Sequence, residues 1–111
     1  MYLVYAVERL LETGWCPAHD MDLERLDDGR PYPSLLAVQD EFARHGLELS
    51  VKHNLVFGCY RAAWAPAGEP NDGSQTDERH GTVIGACERE AAVYALAQFR
   101  EAQVERQLET V

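Results

Sequence analysis

Lysine is nearly missing from this 111-residue chain: Lys52 is the only one, and the other basic residues are all arginines. A phosphate-binding loop needs Gly-Lys-Ser/Thr, and Val51-Lys52-His53 does not supply it. A nuclease centre with a lysine two residues after an acid fails too, because Ser50 holds that place. Neither a Gly-x-Ser-x-Gly elbow nor a His-Glu-x-x-His helix occurs. Long apolar runs are also missing, and nothing approaches the roughly 20 residues of a membrane span. The opening MYLVYAVERLLETG carries Glu8, Arg9 and Glu12 without a basic leader, so no signal peptide is expected. Cysteine is sparse and odd in number: Cys16, Cys59 and Cys87 read as reduced thiols of a cytoplasmic protein, two of them in the core. Basic clusters are lacking as well. With 19 acidic against 10 basic residues the net charge is −9, and nucleic acid would be repelled.

At this length and 46% hydrophobic content, the chain fits one domain, residues 1–111, with one core. Leu3, Val7, Leu10 and Leu11 recur at helical spacing and Gly14 stands as a cap, which predicts a helix over 2–13. WCPAHDMDLERLDDGRPYP has no sustained period and reads as a connecting loop with one helical turn at Asp22–Leu26. Ser34 is placed to cap a helix over 34–45 that presents Leu35, Val38 and Phe42 on one face and stops at Gly46. Leu47, Leu49 and Val51 then alternate with polar residues, so a strand begins. His53-Asn54 is expected to turn the chain into a second strand, LVFGCYRAAW, with Leu55, Phe57 and Cys59 on one face and Val56, Tyr60 and Trp64 on the other. Residues 66–80 are rich in Pro, Gly, Asn and Asp and read as a mobile loop.

GTVIGACEREAAVYALAQF, residues 81–99, admits two readings. Either Thr82–Cys87 is a third strand followed by a helix from about Glu88 to Gln107, or Thr82 caps a helix running straight through. Gly85 and the β-branched pair Val83-Ile84 favour the strand. A helix N-terminus there could grip an anion, but Glu88 and Glu90 in the first turn oppose a phosphate. The expected class is α+β, a small antiparallel sheet of two or three strands packed by helices in the order α-α-β-β-(β)-α.

The order helix 34–45, three strands and an Ala-rich helix from 88, with PYPSLLAVQDEF at its start, is similar to the double-stranded RNA-binding domain. That resemblance implies RNA contacts from a lysine-rich turn opening the last helix. The matching place here is Cys87-Glu88-Arg89-Glu90-Ala91, which does not carry the function over. Trp15-x-Pro17-x-x-Asp20, strands ending at Trp64, and Gly81-Thr82 opening an apolar run also resemble small phage-encoded α/β/α sandwich proteins, which implies an origin rather than a mechanism.

Asp20, Asp22 and Glu24 alternate as in a calcium loop, yet Arg25 replaces the sharp-turn glycine. Cys16 and His19, completed by Cys59, Cys87 or His80, could form a zinc tetrahedron, but structural sites use two tight ligand pairs and one is present. No metal, no cofactor and no catalytic group are therefore expected. The expected function is non-catalytic binding of a protein partner or of itself, through Val56, Tyr60 and Trp64 on one sheet face with Arg61 nearby. The competing arrangement covers that face with helix 2–13, making a helix–sheet–helix sandwich. The alternatives are a nucleic-acid module of the double-stranded RNA-binding shape and an acidic mimic of nucleic acid.

Overall fold

A computed structural model describes residues 2–18, 20–68 and 80–109. Helix α1, Tyr2–Glu12, ends where Gly14 takes a φ of +86° and its N–H donates to the Leu11 carbonyl, the cap its sequence announces. The segment expected to hold a helical turn is instead a two-stranded antiparallel ribbon, β1 (Leu23–Arg25) with β2 (Pro31–Pro33). The turn residues decide this. The Asp28 carboxylate accepts from the Arg30 N–H at 3.0 Å and from Arg30 Nε at 2.8 Å, Gly29 has φ +91°, and Leu26 N–H closes onto the Arg30 carbonyl. Those bonds, the Arg30 backbone N–H above all, hold the Asp28 carboxyl below its ordinary value.

Helix α2, Leu35–Arg44, begins at Ser34, whose Oγ accepts from Ala37 N–H at 3.2 Å and donates to Asp22 at 2.8 Å. The same serine therefore caps the helix and ties the ribbon to it. Strands β3 (Leu47–Asn54), β4 (Cys59–Pro66) and β5 (Gly81–Gly85) form one antiparallel sheet in that order, and α3 runs from Glu88 to Glu109. The class is α+β, with the order of helices and main-sheet strands read from the sequence. Of the loop expected at 66–80, residues 69–79 lie outside the described residues.

Residues 81–99 follow the strand-then-helix reading, with the strand ending at Gly85 rather than Cys87. Gly85 has no room for a side chain, since a Cβ there would lie 2.6 Å from the Ala91 nitrogen. Helix and strand thus meet backbone to backbone. Cys87 precedes the helix and its sulfur accepts from Glu90 N–H at 3.4 Å, while the Glu90 carboxylate accepts from Ala86 N–H at 3.2 Å.

Register puts Leu49 beside Trp64 and Trp64 beside Gly81, so these share the face covered by α2 and α3. Phe42 of α2 packs at 5.4 Å from the Trp64 ring and 5.0 Å from Phe99 of α3, closing the core. The first half of α3 is buried almost all round, through Ala91, Ala92, Val93, Ala95, Leu96 and Ala97. It lies between the sheet and α1, which explains why it is apolar on every side. Helix α1 therefore sits on α3, not across the sheet, and the helix–sheet–helix sandwich is not formed. Arg9 clamps the two helices with a bidentate contact to Glu101, 2.6 and 3.2 Å, which raises the guanidinium's pKa.

Candidate functional site

The β3–β4 hairpin turns later than its sequence suggests. Asn54 pairs with Cys59, and the four residues between them, Leu55, Val56, Phe57 and Gly58, form the loop. Three features fix that register. The Asn54 Oδ1 accepts from the N–H groups of Val56 (3.0 Å) and Phe57 (3.2 Å), Gly58 takes φ +65°, and its N–H donates to the Asn54 carbonyl at 2.8 Å. An asparagine at the start and a left-handed glycine at the end are what a tight loop requires. Turn chemistry has here overridden hydrophobicity.

The consequence is an exposed apolar tip. Leu55, Val56 and Phe57 stand 83%, 86% and 79% exposed, beyond the last pairing of β5, where Gly85 meets Tyr60. Leu55, Val56 and Phe57 were expected inside the second strand; all three are corrected to tip positions. Three consecutive large apolar side chains in water are not the scattered exposure that any soluble surface shows.

The residues expected to bind a partner are divided by the fold. Val56 is at the tip, and Tyr60 is half-buried one pair below the loop, stacked on His53 with ring centroids 4.4 Å apart. Arg61, half-buried, lies on the opposite face, in register with Lys52 and Ile84. Trp64 is a core residue, 3% exposed under Phe42, so it is corrected from surface to interior. Its place is set by Gly81, where any Cβ would collide with the indole ring.

One further signal was available in the sequence and concerns the same hairpin. No Asp or Glu occurs from Leu49 to Gly68, a stretch holding Lys52 and Arg61, in a chain of net charge −9. The apolar tip is thus carried on the only long carboxylate-free segment. The acids elsewhere are interleaved with arginines: Glu101 with Arg9, Glu8 and Asp28 with Arg30, Glu41 with Arg44, and Glu24 with Arg89.

A cleft lies between the ribbon, the start of α2 and the first turn of α3. Leu35, Leu36, Asp22, Glu24, Glu88 and Arg89 line it, with Ser34 and Gln39. Leu36 is 60% exposed there, and Gln39 Nε2 donates to the Leu49 carbonyl at 3.4 Å, fixing the cleft to β3. Tyr32, on β2 of the ribbon, is buried, and that burial pushes its phenol's pKa up.

The thiols are not where the sequence put them. Cys16 and Cys87 are exposed and Cys59 is half-buried, all unbridged, because Cys59 lies at the start of β4 and Cys87 beyond the end of β5. Of the zinc set Cys16, His19, Cys59 and Cys87, His19 lies outside the described residues, and among the described residues no three His, Cys, Asp or Glu side chains gather to hold a metal. Among those residues no helix is long and apolar enough to cross a membrane. No protein-family model matches the chain, and no curated protein or solved structure does so either.

Proposed function

We propose that this chain is a small non-catalytic binding protein of the cytoplasm, acting through protein–protein contact with the β3–β4 hairpin tip as its contact element. One observation carries the reading: Leu55, Val56 and Phe57 are about four-fifths exposed on a loop whose backbone is fixed by Asn54 and Gly58. Apolar and aromatic anchors held rigidly in water supply binding energy at low entropic cost. The pairing of arginines with carboxylates across the surface does not favour an RNA-binding face, nor does it favour a nucleic-acid mimic, which needs acids of one sign on one side.

The test is a photo-crosslinking residue at position 56, compared with one at the exposed Asp40 on α2. Illumination in cells should give a protein adduct of defined mass from position 56 and none from position 40, and Phe57→Asp should abolish it. If position 56 yields no protein adduct, the tip is not a protein contact and the reading fails.

A further inference from the structure

The tip and the cleft complement one another. The tip offers three apolar side chains beside Lys52, on a hairpin without a single carboxylate from 49 to 68. The cleft, with a volume of about 540 Å³, offers the apolar side chains of Leu35 and Leu36 beside the carboxylates of Asp22 and Glu88. Arg89 is engaged with Glu24 at 3.0 Å, so Asp22 and Glu88 set the sign of the cleft. A cleft of that size accepts an aromatic side chain with its neighbours.

Position adds to chemistry. Tyr60 pairs with Gly85 next to the Asn54–Cys59 pair that closes the loop, so the chain enters α3, at Glu88, from the tip end of the sheet. The Glu88 side of the cleft therefore lies toward the tip end of the sheet. A two-fold axis that sets the tip of one copy in the cleft of another sets the second tip in the first cleft at the same time, which closes the assembly as a dimer.

Resting on the tip as the protein contact, we infer that its occupant is a second copy of this chain: two molecules clasp reciprocally, Leu55, Val56 and Phe57 of each against Leu35 and Leu36 of the other, with Lys52 facing Glu88 across the contact. The apolar tip supplies the affinity and the charges fix the orientation. Each surface is satisfied by the other, and both are buried together.

Sedimentation equilibrium of the full chain tests this, with circular dichroism confirming that each variant is folded. The wild type should be a dimer. Phe57→Asp, which removes the tip, and Leu36→Arg, which spoils the cleft, should each weaken dimerisation about tenfold or more, as loss of an interface anchor does. An equimolar mixture of the two variants should form a dimer again, because it keeps one native contact and opposes the introduced charges in the other. Glu88→Lys should weaken the dimer, and adding Lys52→Glu in the same chain should recover it. A wild-type monomer throughout the micromolar range overturns the clasp; if the position-56 crosslinker then still captures another protein, the tip remains a protein contact and only the second copy is lost. A dimer indifferent to both Phe57→Asp and Leu36→Arg overturns the clasp as well. So does Phe57-dependent retention of a monomer on phosphatidylserine vesicles without any protein adduct, and that outcome removes the protein-contact reading too.

Discussion

Phe42 and Phe57 are the same side chain in opposite circumstances. Phe42 is fully buried between Trp64 and Phe99, while Phe57 is 79% exposed at the end of the β3–β4 hairpin. The body of the molecule is organised by burial: α3 lies between α1 and the sheet, and Leu49 and Trp64 are buried on the face that the helices cover. The hairpin tip is organised by its backbone. It keeps its shape through two hydrogen bonds to Asn54 Oδ1 and a left-handed glycine, and its apolar side chains add nothing to the core. Apolar residues that do not stabilise the fold are free to serve something else, which is why the tip, not the core, is the place to look for function.

Truncating each phenylalanine gives the widest separation between the two regions. Phe42→Ala removes a buried ring with little chance of collapse around it and should cost about 3–5 kcal/mol in urea unfolding. Phe57→Ala should stay within about 0.5 kcal/mol of wild type in the same measurement, as a surface change does. An equal loss at both positions would mean that the tip packs in the folded chain and that the contrast is false.

Two glycines extend the contrast with a smaller effect. At Gly81 a Cβ would collide with the Trp64 ring, so Gly81→Ala overpacks the sheet and should cost about 1–3 kcal/mol, with a shift in tryptophan emission. At Gly58 no atom stands within 4 Å of the added carbon, and the cost of Gly58→Ala comes only from φ +65°, about 1–2 kcal/mol. The first glycine is needed for space and the second for backbone freedom. Equal emission changes in both variants would contradict that division.

The same contrast separates what was legible in the sequence from what was not. The class, the three helices and their caps at Gly14, Ser34 and Gly46 were readable, because burial and capping act within a few residues along the chain. The ribbon at Leu23–Pro33 was missed even though Asp28-Gly29 marked its turn, since three-residue strands leave no period to detect. The tip was missed for a different reason. Leu55, Val56 and Phe57 look like the start of a core strand, and only the spacing of Asn54 and Gly58 says that they form a loop. Trp64 was assigned to a surface because nothing local says which face of a strand the helices will cover. That is settled by Phe42, twenty-two residues earlier in the chain, and by Gly81 across β5.

The smallest change tests whether the tip's shape matters apart from its composition. Asn54→Ala removes the acceptor for the N–H groups of Val56 and Phe57, both of which are exposed and can bond to water instead. The stability loss should therefore be modest, about 0.5–1 kcal/mol, the net worth of ordinary hydrogen bonds. The hairpin would then hold the same apolar residues on a loop no longer fixed in place, and amide order parameters at 55–58 should fall while those of α3 stay unchanged. Binding through the tip should weaken by more than the stability loss suggests, because the loop must be ordered again on contact. Unchanged order parameters at the tip would show that Gly58 and the strand pairing alone define the loop. Unchanged binding would show that the tip acts by its apolar content rather than by its fixed shape.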